Sequence, residues 1–317
     1  MRILFFGTSP FALPVLQALV DRGETIAAVV TQPDRPAGRG GKLTPPPVKE
    51  LAVQLCLPVL QPESCRTPEF LDTARGLAPD LSVVVAYGQF LPDALLAVPP
   101  CGSVNLHGSL LPKYRGAAPI QRAIMVGEER TGVCLMWMAR EMDAGDVIAC
   151  AETPIQPEDT AGTLSERLSG LAAKLLIFWL PALARGETPR HPQDPSLVTF
   201  APAIRKEERE IDWSQPAEEI WRQIRGLAPA PAAVTAFHGQ PLKVLAAKVA
   251  TISPERAGEP GEIVEISETA GPVVAAGQGS VLLLALHPAG KRPMSAAEFL
   301  RGYRVTAGER FGRAEAH

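Results

Sequence analysis

Ile3-Leu4-Phe5-Phe6-Gly7-Thr8-Ser9-Pro10 is an apolar run that stops at a glycine and leads into a proline. A short continuous apolar run of this kind reads as a buried strand. From Pro10 to Arg22 the apolar residues recur at helical spacing, and Ser9 stands where an N-cap belongs. Thr25-Ile26-Ala27-Ala28-Val29-Val30 then reads as a second strand. Strand, helix and strand in succession predict an α/β domain with a parallel sheet.

The alternation continues outward. Leu81–Ala86, Val104–His107 and Val133–Met138 read as further strands, and Pro119–Val126 and Leu164–Leu183 as helices. The expected fold is a doubly wound, Rossmann-like parallel sheet. Ligands of such sheets lie beyond the carboxyl ends of the strands, where Gly7, Tyr87–Gly88 and His107–Gly108 fall. The first turn lacks G-x-G-x-x-G, and Pro10 has no N–H to offer a phosphate. It reads as a tight strand-to-helix turn, which disfavours a dehydrogenase.

Gly186–Arg205 carries Pro189, Pro192, Pro195 and Pro202 and reads as a linker. The charged stretch Lys206–Asp212 opens a second domain. A helix over Pro216–Arg225 precedes five short β-type runs, Val234–Phe237, Leu242–Val249, Glu262–Ile266, Pro272–Ala276 and Ser280–Leu286. Gly-rich turns separate them, so a small barrel is expected.

Bulk properties set bounds. A chain of 317 residues suggests two domains, and a hydrophobic fraction of 46% supplies a full core. The net charge of −3 gives no global sign of a nucleic-acid partner, so contact with RNA needs a local basic patch. The five cysteines are odd in number and contain no C-x-x-C, which argues against a disulfide framework or a zinc site and for a reducing cytoplasm. The apolar start is broken at Gly7–Pro10, too early for a signal peptide, and no run reads as a membrane span.

Chemistry concentrates in Ser103-Val104-Asn105-Leu106-His107-Gly108-Ser109-Leu110-Leu111-Pro112-Lys113-Tyr114-Arg115-Gly116. Asn105 and His107 are two apart on a strand and so share one face. Acyl transfer needs such a pair, an amide to hydrogen-bond a developing oxyanion and an imidazole to move a proton. Asp143, in Met142-Asp143-Ala144-Gly145-Asp146, is a candidate partner that keeps the imidazole charged and oriented. Ser109 lacks the G-x-S-x-G setting of a hydrolase nucleophile.

Asn105 to Pro119, with Asp143 behind it, resembles the folate-dependent formyltransferases, and among them those that formylate methionyl initiator tRNA. The likeness runs through Phe6-Gly7-Thr8, Thr31–Gly40, Val84–Gly88, Gly116–Arg122, Ile211-Asp212-Trp213 and Pro288–Lys291, with Met294-Ser295-Ala296 beyond, and covers nearly the whole chain. The resemblance implies 10-formyltetrahydrofolate as formyl donor, no metal, and direct attack of the substrate amine on the formyl carbon through a tetrahedral intermediate. Asn105, His107 and Asp143 are then catalytic. Ser109, Leu110, Leu111 and Pro112 form one wall of a folate slot, and Ala86, Tyr87, Gly88, Gln89 and Phe90 the other. In the basic loop Asp34–Lys42, Arg39 is the candidate for a specific tRNA contact, with Arg35 and Lys42 on phosphates. Lys206, Lys243, Lys248 and Lys291 are the candidate tRNA contacts of the second domain.

The resemblance assigns residues 1–188 to a catalytic domain, 189–205 to a linker and 206–317 to an OB-like tRNA-binding domain. Ala228-Pro229-Ala230-Pro231 departs from a family pattern that often carries an aromatic residue there. The alternatives are formylation of an amino sugar nucleotide and a non-catalytic tRNA- or folate-binding protein. The basic loop favours the tRNA enzyme, and the Asn105–His107–Asp143 set favours catalysis. A cytoplasmic monomer without membrane contact is expected.

Overall fold

Buried strands form the centre of the first sheet, as their apolar runs require. The structure is a computed structural model and describes residues 1–37, 41–250 and 258–312. The strands of the first part are β1 (Arg2–Gly7), β2 (Thr25–Val30), β3 (Arg35–Ala37), β4 (Lys42–Thr44), β5 (Val59–Leu60), β6 (Leu81–Val85), β7 (Ser103–His107), β8 (Arg130–Trp137) and β9 (Val147–Pro154). The helices are α1 (Leu13–Asp21), α2 (Pro47–Gln54), α3 (Pro68–Gly76), α4 (Asp93–Leu96), α5 (Pro119–Val126) and α6 (Ala161–Arg185). The sheet order is β5-β2-β1-β6-β7-β8-β9, while β3 and β4 form a separate ribbon. The pairings from β5 to β7 are parallel, and β8 and β9 extend the sheet antiparallel. Every residue of β6 and β7 is buried.

Two sequence expectations change here. Ser9 occupies the N-cap position of a short 3-10 turn, Pro10–Ala12, but its side chain caps nothing. Cys134 and Cys150 face each other across β8 and β9 and are disulfide-bonded, with Cα atoms 4.1 Å apart. The expectation of no disulfide missed this pair because β9 was not read as a strand. One cross-strand bond is still not the framework of a small secreted domain.

By length and composition, α6 is the one described helix able to cross a membrane, where the sequence reading found no such run. Its Leu168, Ala172, Leu176, Leu180 and Leu183 are buried at helical spacing, while Glu166 and Lys174 are exposed. That is the pattern of a helix docked on a core by one face.

The second part contains α7 (Ala217–Leu227), β10 (Ala233–Phe237), β11 (Gln240–Ala250), β12 (Ile263–Ser267), β13 (Gly271–Ala275), β14 (Ser280–Pro288), β15 (Met294–Ser295), α8 (Ala296–Tyr303) and β16 (Phe311–Gly312). The antiparallel order is β12-β13-β14-β11-β10-β16, with β15 on β14. Gly308 N to Ile263 O (2.9 Å) and Phe311 N to Gly261 O (2.8 Å) bring the two ends of this sheet together. Trp213, Ile224, Phe237, Val244, Leu283 and Phe299 are among the side chains that fill its interior.

Contacts divide the chain into two units, one of Met1–Pro119, Arg130–Pro154 and Ser165–Ala201, the other of Ile120–Glu129, Ile155–Leu164 and Pro202–His317. Most of the stretch read as a linker therefore clusters with the first unit. In the second, Arg122 of α5 holds Glu208 through a guanidinium fork, with Nη2 3.1 Å from Oε2, and also reaches the carbonyl of Pro202. The fork, helped by the Arg205 N–H and opposed by burial, holds the Glu208 carboxyl at about 2, below its ordinary 4.5. A depressed folded-state value adds stability above the unfolded value, and that stability is lost as pH falls toward the folded one. Glu208→Gln is therefore expected to cost about 1–3 kcal/mol at neutral pH. It should also flatten the fall in stability between pH 4.5 and 2, as acid titration of denaturant midpoints will show.

Candidate active site

The strand order reverses at β1, which has β2 on one side and β6 on the other. A crevice at this point is where such sheets bind ligands, and here the chain's own groups take up the Tyr87 carbonyl. Thr8 Oγ1 donates to the Tyr87 carbonyl (2.7 Å), and Gln32 Nε2 donates to the same oxygen (3.4 Å). A Cβ on Gly7 would lie 2.7 Å from the Phe5 ring and 2.9 Å from Ala12 Cβ. The glycine serves close packing, as the tight-turn reading held.

The candidate chemistry lies on β7 instead. Asn105 pairs in register with Val84 and Met136, and His107 with Cys134. Asn105 is 9% exposed and His107 6%. The Asn105 amide makes no hydrogen bond to another described residue. The polar atoms of that amide are not sealed from solvent, so it stays open to an incoming group.

His107 Nε2 lies 2.9 Å from the Tyr114 carbonyl. A carbonyl only accepts, so Nε2 carries the proton. Nδ1 faces Asp143 Oδ1 at 3.6 Å, too far for a hydrogen bond but close enough for charge pairing. Asp143 sits in the left-handed region, at φ 52°. Its Oδ2 accepts from the Gly116 N–H at 2.9 Å. The turn between β7 and Gly116 is braced from within, because buried Ser109 donates from Oγ to the Lys113 carbonyl (2.7 Å). That hydroxyl is a structural clip.

Models of two families match the chain, "Formyl transferase" over residues 1–180 and "Formyl transferase, C-terminal domain" over 203–304. The methionyl-tRNA formyltransferase of Moorella thermoacetica is 49% identical over 312 residues, covering 98% of this chain and 99% of that protein. That of Symbiobacterium thermophilum is 47% identical and covers 100% and 97%. The chain belongs to the methionyl-tRNA formyltransferase family. Among solved structures, HypX from Aquifex aeolicus in complex with tetrahydrofolic acid is similar in fold (TM-score 0.68, 19% identity, 98% of this chain and 48% of that one). So is an N-formyltransferase from Helicobacter canadensis (TM-score 0.64, 16% identity, 89% and 98%).

For a member of this family, the two expected folate walls differ in what they present. Leu110, Leu111 and Pro112 are half-buried, and the Leu111 N–H reaches Cys134 Sγ at 3.3 Å. On the other side Ala86, Gly88 and Phe90 are exposed, with Ala86 and Gly88 both at positive φ. The Tyr87 side chain turns inward, so only the backbone of that residue is left to the slot. Its ring packs edge-on against Phe6, and its hydroxyl meets Cys65 Sγ at 3.0 Å. Burial pushes both the phenol and the thiol up. The Gln89 side chain also turns away, accepting from the Cys65 N–H and donating to the Pro62 carbonyl.

The expected tRNA contacts are spread over both units. Arg35 is exposed on β3, and Lys42 begins β4. Arg39 lies outside the described residues. Lys206, Lys243, Lys248 and Lys291 are all exposed. Lys243 and Lys248 are an odd number apart on β11 and would face opposite ways on a regular strand. A bulge between Val244 and Ala247 resets the alternation, so that Leu242, Val244 and Ala247 are buried and both lysines face out.

Gln193, Arg115 and Gly116 were missed as site residues. Arg115 and Gly116 stood inside the quoted motif, but Gln193 carried no sequence signal. Gly116, at φ 127°, has room only for a hydrogen, because a Cβ would lie 2.6 Å from the Ala201 carbonyl. Gly116→Ala is expected to cost more than about 2 kcal/mol of stability and to displace the N–H that holds Asp143. Gly170→Ala in the open interior of α6, with nothing within 4 Å of the new Cβ, should instead stabilise by about 0.5–1 kcal/mol. Thermal denaturation of the two variants tests the contrast.

Proposed function

We propose that Asn105, His107 and Asp143 carry out the transfer of a formyl group from 10-formyltetrahydrofolate to the α-amino group of methionyl initiator tRNA. The observation that carries this reading is the unpartnered Asn105 amide beside His107, whose Nδ1 faces a carboxylate across a gap of 3.6 Å. 10-Formyltetrahydrofolate supplies the formyl carbon. As the amine attacks, charge builds on the formyl oxygen. The Asn105 N–H and protonated Nδ1 of His107 are the donors placed to meet it. Asp143 orients the imidazole and takes a proton from the amine through water; collapse of the tetrahedral intermediate then breaks the bond from the formyl carbon to N10, and tetrahydrofolate leaves with that proton on N10. Nε2 stays bound to the Tyr114 carbonyl, so the ring works through one nitrogen.

Leu110, Leu111, Ala86, Gly88 and Phe90 are the groups left to receive a flat apolar ring and its polar edge. Arg35, Arg39 and Lys42 meet the acceptor end of the tRNA, and Lys206, Lys243, Lys248 and Lys291 its backbone. The protein works as a monomer in the cytoplasm, without membrane contact.

The test supplies 10-formyltetrahydrofolate with either charged initiator tRNA or an amino sugar nucleotide. Formylation of the tRNA alone supports the reading, and formylation of the sugar alone overturns it. His107→Ala is expected to lower kcat by about 10²–10³ with the fold intact. Asp143→Asn should act in the same direction, and the double variant should lose little more than either single one. Additive losses would mean that the two side chains work separately.

A further inference from the structure

Gln193 lies after α6 in the Pro-rich stretch, outside every helix and strand, yet its side chain is tied into the site at both ends. Its Nε2 donates to the carbonyls of Asp143 (2.8 Å) and Gly145 (2.8 Å). Its Oε1 accepts from Arg115 Nε (3.0 Å) and Nη2 (2.8 Å). Arg115 is buried, and the next N–H along the chain, that of Gly116, holds Asp143 Oδ2. The contacts close into a ring that runs Arg115, Gln193, Asp143, Gly116 and back to Arg115.

This ring has work to do, because the Asp143 loop must be held in one shape. Asp143 sits in the left-handed region, which Asp visits more readily than most side chains but which its backbone does not fix. A Cβ on Gly145 would collide with the Trp137 carbonyl, so the loop also passes hard against β8. The Gln193 amide bridges two carbonyls of that loop, and the Arg115 fork on its oxygen draws electrons away from the NH₂ and strengthens both donations. The same strand of chain also fixes the imidazole. Thr199 Oγ1 accepts from the Tyr114 N–H (2.9 Å), the Thr199 carbonyl accepts from the Arg115 N–H (2.9 Å), and the Tyr114 carbonyl is the partner of His107 Nε2.

Building on the assignment of His107 and Asp143 as the proton-handling pair, we infer that Gln193 is a positioning residue, which holds the Asp143 carboxylate toward His107 Nδ1 by donating from its amide to the Asp143 and Gly145 carbonyls. The segment that joins the two parts of the chain thereby acts as a strap across the active site.

The test uses the full-length protein and two substitutions. Gln193→Ala removes both ends of the contact. Gln193→Glu keeps an acceptor for Arg115 but has no N–H for the carbonyls. Both are expected to lower kcat by about 10–100-fold, the usual effect of losing a group that orients a reacting one. KM for each substrate should stay within about threefold. In an Asp143→Asn background, Gln193→Ala should change kcat by less than about twofold, because the carboxylate it positions is gone. A purely structural role would give the same loss in both backgrounds and would overturn the inference. So would normal turnover of Gln193→Glu, since the Arg115 contact would then suffice. Unfolding of both variants would place Gln193 in the stability of the fold and would also overturn it. His107→Ala is run alongside. If it retains turnover, the proton-handling pair itself is wrong, an outcome distinct from failure of the Gln193 arm alone.

Discussion

The hydrogen bond from His107 Nε2 to the Tyr114 carbonyl decides which face of the imidazole is free. With Nε2 committed as a donor, only Nδ1 can gain or lose a proton, and Nδ1 is the nitrogen that faces Asp143. The rest of the site serves these two facing groups. β7 delivers Asn105 and His107 to one side of the sheet, the Gly108–Gly116 turn folds back to present the Tyr114 carbonyl, and the Asp143 loop closes from beyond β8. Each of these pieces is held by a backbone or amide contact, so the geometry is set before any substrate arrives. Such preorganisation is what lets fixed dipoles stabilise charge cheaply in a transition state.

Most of this was legible in the sequence where local pattern carries the signal. Buried parallel strands announce themselves as Val- and Ile-rich runs, and Thr25–Val30 matches β2 to the residue. The five β-type runs of the second part each correspond to a strand, and their ends shift by a residue or two. Asn105, His107 and Asp143 stand out because their residue types are informative at that spacing, and the fold brings His107 Nδ1 and Asp143 Oδ1 to 3.6 Å. β9 escapes sequence reading because Val147–Pro154 buries only Ile148 and Thr153 and mixes small, charged and proline residues without a period of two. The Cys134–Cys150 bond was hidden with it. The role of Gln193 was beyond sequence reasoning. Its partners Asp143, Gly145 and Arg115 come together only through tertiary folding, and proline-rich surroundings ordinarily mean a connector.

The structure narrows the slot expectation at Tyr87, whose side chain is spent on the core. An aromatic residue at a strand's end invites the reading of a ligand wall, but its ring is the natural plug between Phe6 and Cys65, and its carbonyl is taken by Thr8 and Gln32. In contrast, Ala86 and Gly88, which carry almost no side chain, are the exposed positions. The bulge in β11 shows the same limit. Alternation along Leu242–Val249 would separate Lys243 from Lys248, and only the inserted residue turns both outward.

The ring of His107 offers the most direct measurement of this account. Nitrogen-15 NMR of histidine-labelled protein, with the His107 signals identified by their loss in His107→Ala, reports which ring nitrogen is protonated. In the neutral ring Nε2 is expected to carry the proton and Nδ1 to be bare. A neutral ring with its proton on Nδ1 and a bare Nε2 would contradict this, because two acceptors would then face each other at the Tyr114 carbonyl.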